Sequence, residues 1–270
     1  MAGHGDLVPS LSSQDRGVQT RPSLAIFDLD GTLVDSQEGI LYSFRATLDE
    51  LGITGSDDQL KGMIGPPLNE SFEKLGFAGE ELQNVLDRYR DFYGANGLGM
   101  SQLYDGIDEM LRRLRVEGVK MAVATAKRVD FAREMLQLLG IADFFEVIQG
   151  ASESGEITSK NEIVAKVLDH FESPDPHAVW MVGDRQYDVH AALFHDLVPV
   201  GVLWGYGSRE ELLSSGAQIV VSHPREIVSR EEEFGGDPVC WVQYVCPNCG
   251  AMEGGPHRLA SCATLAREQD

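Results

Sequence analysis

The sequence predicts an α/β protein in which a doubly wound parallel sheet is interrupted by an all-helical cap and followed by a small cysteine-rich extension. Three observations lead there. From Ser23 onward, short runs rich in Val, Ile and Ala alternate with longer amphipathic stretches, the pattern of parallel strands buried on both faces by helices. The interval from Gln37 to Leu103 breaks that alternation and holds only helical patterns. All four cysteines lie beyond residue 239, so no disulfide framework holds the main body together.

The elements follow in order. Residues 1–22 are rich in Gly, Ser, Gln and charge without periodicity, and read as a disordered tail. "SLAIFD" (23–28) is an apolar run that ends on a carboxylate and reads as the first strand. The cap, residues 37–103, contains helical stretches such as "EGILYSFRATLDEL" and "EELQNVLDRYRDFY", and joins the first strand to the rest of the core through segments 34–38 and 101–105, read as hinges. Further strands are expected at 120–125, 144–150, 178–184, 199–204 and 217–221, with helices at 106–117, 128–139, 160–171, 185–194 and 208–215. The α/β core therefore comprises 23–36 and 104–230, a Rossmann-like arrangement, and residues 231–270 form the extension.

Composition narrows the function. Hydrophobic residues at 43% and charged residues at 24% suit a globular protein. The net charge of −21 argues against nucleic acid as the main partner, because phosphate-backbone binders gather Lys and Arg into a positive footprint. No run approaches the roughly 18 apolar residues of a membrane span, and the first twenty residues lack the pattern of a signal peptide. A cytoplasmic protein acting on a small molecule is expected.

In an open parallel sheet, ligands bind outside the carboxyl ends of the strands. The first strand ends on Asp28 and Asp30, the second on Thr125 with Ala126 and Lys127, and the fourth on Gly183 and Asp184 with Asp188 one helical turn later, while Lys160 opens the helix after the third. Several carboxylates on one rim destabilise each other unless a cation sits among them or some hold protons. A hard divalent ion, Mg²⁺, resolves the repulsion and takes oxygen ligands. Asp28 is then placed as a nucleophile on phosphorus, and Asp30 as the acid that protonates the leaving group and later the base for water. The hydroxyl of Thr125, the ammonium of Lys160 and backbone N–H groups of the 29–32 turn face the phosphoryl oxygens, where Gly31 lets the backbone approach.

"DLDGTLVDS", "VATAK", Lys160 and "MVGDRQYDV" together resemble the four motifs of the haloacid dehalogenase superfamily of phosphotransferases, in the order and spacing of the phosphoglycolate phosphatase-like subfamily with its helical cap. The resemblance spans Ser23 to Val228, with "MIGPPLNESF" similar to a cap loop that faces substrate and "GVLWGYGS" to another stretch of that subfamily. It implies a phosphoric monoester hydrolase with Asp28 as nucleophile, Asp30 as acid/base and backbone-carbonyl metal ligand, and Thr125, Ala126, Gly31 and Lys160 binding phosphate. It further implies Asp184 as a direct metal ligand and Asp188 as a direct or outer ligand. Two departures stand out. Ala126 occupies a position where many relatives have serine, and Ile157 or Thr158 stands where many carry an arginine, which bears on substrate preference.

Other features are expected to be structural. Phe72, Phe77 and Tyr93 read as helix-packing residues of the cap, and Arg45 as a solvated side chain with a minority reading as an anion contact. In the extension, Cys246-x2-Cys249 with His257 and Cys262, or Cys240 as substitute, has the ligand types of a structural Zn²⁺ site. The expected function is Mg²⁺-dependent hydrolysis of a small phosphate monoester such as phosphoglycolate, a nucleotide or a sugar phosphate. The alternatives are a phosphomutase of the same fold, or a scaffold that binds a protein partner through the cysteine-rich extension.

Overall fold

In the computed structural model, residues 21–56, 59–60, 62–152 and 157–228 are described, together with the backbone of 239–240 and 257–258. Six parallel strands form one sheet in the order β5-β4-β1-β6-β7-β8. These are β1 (Leu24–Phe27), β4 (Lys120–Arg128), β5 (Val147–Ala151), β6 (Val179–Gly183), β7 (Val198–Val202) and β8 (Ile219–Val221). β1 lies between β4 and β6, with Phe27 opposite Val123 on one side and Val182 on the other. The chain runs outward from β1 through β4 to β5, then returns to β6 and runs outward through β7 to β8. The strand order therefore reverses between β1 and β6, which opens a crevice at their carboxyl ends.

Alternation along the strands sorts two apolar layers. Ala25, Phe27, Met121, Val123, Trp180 and Val182 point to one face and pack with α4 (Ile107–Val116) and α5 (Val129–Leu138). Leu24, Ile26, Ala122, Ala124, Val179 and Met181 point to the other, against α6 (Lys160–His170) and α7 (Gln186–Phe194). Every residue of β1, β6 and β7 is buried, which explains why their sequences read as unbroken apolar runs rather than alternating ones. Two shorter helices follow: α8 (Arg209–Ser214) buries Leu212 with Val189 and Val220, and α9 (Arg225–Val228) adds Ile227 and Val228 to the layer of Phe27.

The interval after β1 is helical: α1 (Gln37–Glu50), α2 (Leu68–Glu73) and α3 (Gly79–Phe92), the last running into a π-helical turn at Tyr93–Gly97. Phe44, Phe72 and Tyr89 cluster inside it, with ring centroids 4.7 to 5.9 Å apart. α1 meets the π-helical turn where Gly39 faces Gly97, and a Cβ on Gly39 would lie 2.0 Å from the Gly97 carbonyl oxygen. The two segments read as hinges pair with each other: β2 (Val34–Asp35) and β3 (Gln102–Leu103) form an antiparallel ribbon. A two-residue strand is too short to show periodicity, so the sequence gives no sign of it. The strand expected at 144–150 begins at Val147, because Ala142–Phe144 forms a 3-10 turn and Phe145 packs edge-on against Phe27.

Among the described residues no helix is long and apolar enough to cross a membrane. In the extension, β9 (Val239–Cys240) pairs antiparallel with β10 (His257–Arg258). Cys246, Cys249 and Cys262 lie outside the described residues.

Candidate active site

The carboxylates of Asp28, Asp184 and Asp188 converge at the crevice, each offering an oxygen within 4.8 Å of the others. Asp28 follows β1, with its amide bonded to the Val182 carbonyl of β6 at 2.9 Å, so the sheet ladder itself fixes the backbone that presents it. Asp184 follows β6 and is fully buried. Asp188 stands in the first turn of α7, where its Oδ2 accepts the Arg185 amide at 3.1 Å and caps the helix. That places capping and proximity to the carboxylate cluster in one residue, with Oδ1 turned to the site.

One ammonium pairs with two of the three acids, while Asp184 feels the more distant charge of Arg185. Lys160, the first residue of α6, places Nζ 2.7 Å from Asp28 Oδ1 and 2.8 Å from Asp188 Oδ1. Burial tends to lower the Lys160 pKa, but Asp188 and Asp28 outweigh it and hold the ammonium protonated well above the ordinary range. One ammonium does not balance three buried carboxylates. Burial pushes the Asp28 carboxyl up to about 7 against the opposing pull of Lys160, with Asp188 and Asp30 adding to the rise. Burial, then Asp188 and Asp28, likewise pushes Asp184 up to about 8. A donor set of oxygen atoms alone, short of positive charge, fits a hard divalent cation.

Glycines make this packing feasible. Gly31 has φ +86°, and a Cβ there would lie 2.4 Å from Asp184 Oδ2. At Gly183 a Cβ would meet the Asp188 carboxyl at 2.1 Å. The loop after β7 folds back over the first motif. A Cβ on Gly205 would lie 2.1 Å from the Gly31 carbonyl oxygen, and one on Gly207 would lie 1.8 Å from the Asp184 carbonyl oxygen. In the same loop the Trp204 indole donates to the Thr32 carbonyl at 2.8 Å, and the Tyr206 amide donates to Asp184 Oδ2 at 2.8 Å. Thr32 Oγ1 donates to Asp184 Oδ1 at 3.2 Å. These contacts of Trp204, Gly205, Tyr206 and Gly207 do not follow from strand and helix patterns; the two glycines alternating with aromatic residues in "WGYG" are the signal that a backbone approaches closely there.

Asp30 sits to one side of the trio. Its Oδ1 accepts from Lys127 Nζ at 2.9 Å and from Ser36 Oγ. Thr125 is buried at the end of the regular β4–β5 pairing, where the register shifts between Ala124 and Arg128, and its Oγ1 accepts the Lys127 amide at 3.1 Å. The irregularity re-aims the segment: Thr125 and Lys127 turn inward while Ala126 is exposed. Gly150 on β5 makes room, since a Cβ there would lie 2.4 Å from the Lys127 carbonyl oxygen.

The remaining sequence candidates divide. Phe72 and Phe77 pack edge-to-face in the helical insert, 6.0 Å apart. Tyr93 is buried as expected but also reaches the site, its hydroxyl 2.8 Å from Lys127 Nζ. Arg45 is exposed on α1, beside Glu38, Tyr42 and Asp49 at a surface cavity of about 370 Å³. The zinc reading falls outside the described residues: Cys246, Cys249 and Cys262 are not among them, and of Cys240 and His257 only the backbones are described, paired across β9 and β10.

Arg185 bridges the rim to the helical insert. Its Nε pairs with Glu211 at 2.8 Å and its guanidinium donates to the Ile64 carbonyl at 3.2 Å, within the "MIGPPLNESF" loop.

Comparison with known proteins agrees with this geometry. The model of the haloacid dehalogenase-like hydrolase family matches residues 25–197. The chain is 41% identical over 215 residues to the tyrosine-protein kinase PtkA of Mycobacterium tuberculosis, covering 79% of this chain and 73% of that one. It is 36% identical over 189 residues to a 5'-nucleotidase of Pseudomonas aeruginosa, covering 69% and 85%. Among solved structures, a predicted phosphatase from Clostridium acetobutylicum superposes with a TM-score of 0.74 at 35% identity, covering 77% of this chain and 97% of that chain. The crevice at the β1–β6 reversal, its acids and these matches agree: the chain belongs to the haloacid dehalogenase-like hydrolase family and has the fold and relatives of its phosphatases.

Proposed function

We propose that this protein is a Mg²⁺-dependent phosphatase that hydrolyses a small phosphate monoester through an aspartyl-phosphate at Asp28. The observation that carries the reading is the trio of Asp28, Asp184 and Asp188 with one ammonium paired to two of them, a site short of positive charge at the end of the sheet. Asp28, Asp184, Asp188 and the Asp30 backbone carbonyl would hold the ion. When bound, it supplies charge neutralisation to the carboxylates and to the phosphoryl oxygens.

In the first step an Asp28 carboxylate oxygen forms a bond to phosphorus, the bond from phosphorus to the ester oxygen breaks, and that oxygen takes a proton from Asp30. In the second, water attacks phosphorus, gives a proton to Asp30, and the bond from phosphorus to Asp28 breaks to release phosphate. Lys160, the Thr125 hydroxyl and the backbone around Gly31 and Ala126 bind the phosphoryl oxygens, whose negative charge persists throughout. Residues 37–103 serve as a cap over the core of 23–36 and 104–230, with the β2–β3 ribbon at its hinge and the Ile64 loop bearing on Arg185. Such a cap excludes bulk water and sorts leaving groups. A relative named 5'-nucleotidase supports a nucleotide monoester as the substrate.

Hydrolysis of para-nitrophenyl phosphate with and without Mg²⁺, comparing wild type with Asp28→Asn, tests the proposal. Activity that requires both metal and carboxylate is the expected result, and metal-independent activity or an active Asp28→Asn chain contradicts it.

The 41% identity to a protein named a tyrosine kinase supports a second reading, in which a phenol oxygen rather than water accepts the phosphoryl group. Incubation with a labelled nucleoside triphosphate separates the two, since hydrolysis yields free phosphate and transfer yields phosphotyrosine.

A further inference from the structure

Lys127 joins three parts of the molecule that the proposed chemistry treats separately. Its ammonium lies 2.9 Å from Asp30 Oδ1 and 2.8 Å from the Tyr93 hydroxyl, and 4.4 Å from the centroid of the Tyr93 ring. Only 8% of its side chain is exposed, so these contacts form out of bulk water, where charge-assisted hydrogen bonds and cation–π contacts are strongest. Asp30 is on the core side of the hinge ribbon and Tyr93 is on the helical insert, so the ammonium is shared across the boundary between them.

Tyr93 is itself held rigidly. Its ring stacks on Tyr89 with 9° between planes at 6.0 Å, and meets Phe131 of α5 edge-on at 5.6 Å. It opens the π-helical turn, a feature that often marks functional sites. The close approach of Gly39 and Gly97 packs that turn against α1.

At Asp30 the donors are arranged asymmetrically. Among the described residues, the hydrogen bonds from Lys127 and Ser36 both fall on Oδ1, leaving Oδ2 to exchange a proton with the leaving group. Donors on Oδ1 suit both forms of the carboxyl group, because Oδ1 accepts whether or not Oδ2 holds a proton.

We propose that Lys127 and Tyr93 are positioning residues for the acid/base carboxylate: docking of the helical insert places the Tyr93 hydroxyl against Lys127, and Lys127 orients Asp30 so that Oδ2 faces the leaving group. This rests on the phosphatase reading and adds two residues and a route from the insert to the proton-transfer step. A positioning defect has a signature that lost packing lacks. It harms esters whose leaving oxygen needs a proton, and spares those that leave as a stable phenolate.

The test uses the full chain with Mg²⁺ and measures kcat and KM for para-nitrophenyl phosphate and for whichever of a panel of alkyl phosphates, including glycerol 2-phosphate and phosphoglycolate, the wild type turns over fastest. Tyr93→Phe keeps the ring and removes only the hydroxyl; Lys127→Met removes the ammonium at similar bulk, and Lys127→Arg restores a cation. The expected result is a kcat loss of about tenfold for the alkyl ester in Tyr93→Phe and more in Lys127→Met, a loss under about threefold for the aryl ester, little change in KM, and partial recovery in Lys127→Arg. Equal losses on both esters, or no loss on either, overturn the inference while leaving the phosphatase reading intact. A wild type inert toward both ester classes overturns both.

Discussion

Two populations of acidic side chain coexist in this molecule and behave oppositely. On the helices, acids and bases pair in water: Glu50 with Arg88, Asp87 with Arg90, Asp108 with Arg112, each pair substantially exposed. At the carboxyl ends of β1 and β6, Asp28, Asp184 and Asp188 crowd together, with Lys160 paired to Asp28 and Asp188, and their side chains are largely shielded from solvent. The first group contributes little because water screens it. In the second, desolvation raises the cost of every unbalanced charge, and the sheet ladder keeps the groups from moving apart. The net charge of −21 therefore weighs against nucleic acid but locates no chemistry, whereas three of its carboxylates mark the candidate site.

The contrast is open to direct attack, starting with the greatest effect. Asp28→Asn keeps the shape and removes the nucleophile, so turnover of a phosphate monoester is expected to fall on the order of 10⁴-fold or more, measured in steady state. Gly205→Ala comes next. A Cβ there would lie 2.1 Å from the Gly31 carbonyl oxygen and 2.5 Å from Asp184 Cβ, so the backbone of the first motif must shift. A displacement approaching 1 Å costs about 100-fold in kcat, and a lowered Tm should accompany it. A Gly205→Ala chain with wild-type activity would show that the loop after β7 does not fix the acids.

The pH dependence of stability sharpens the comparison. In metal-free protein, Asp28 and Asp184 have pKa values raised from 3.8 to about 7 and about 8. The folded chain thus holds protons between about pH 4 and 8 that the unfolded chain has lost, and the contribution of these groups to stability falls as pH rises through that window. Tm should accordingly decline over the range in EDTA, decline less in Asp184→Asn, and rise on adding Mg²⁺ at pH 8. A Tm indifferent to Mg²⁺ there would count against the cation site. The smallest effect is expected from Arg88→Ala on the solvated side, where losing the pair with Glu50 should cost about 0.5 kcal/mol or less and leave kcat unchanged.

Much of this was legible before any coordinates. β1, β6 and β7 are buried on both faces, so their sequences are continuous apolar runs, and the residues at which the first and fourth runs stop are the acids of the site. What escaped was whatever depends on contact between distant segments. The β2–β3 ribbon is two residues wide and has no period to detect. The inward turn of Thr125 and Lys127 comes from a register shift against β5, for which Gly150 was the sole local sign. Tyr93 shows why a packing role and a polar role are hard to separate from spacing: its ring belongs to the core of the insert, while its hydroxyl, one atom further out, meets Lys127 from a segment 34 residues away. The loop of Gly205 and Gly207 could be read only as permissive backbone, not as the seat against which Asp184 packs.

The claim on which the rest depends is that Asp28 is phosphorylated during turnover. Rapid acid quench of the wild-type chain with a ³²P-labelled monoester substrate and Mg²⁺, followed by peptide mapping, measures this. The account predicts a hydroxylamine-labile label on the peptide containing Asp28, absent in Asp28→Asn. Turnover with no label on that peptide, or a label that persists in Asp28→Asn, would contradict it.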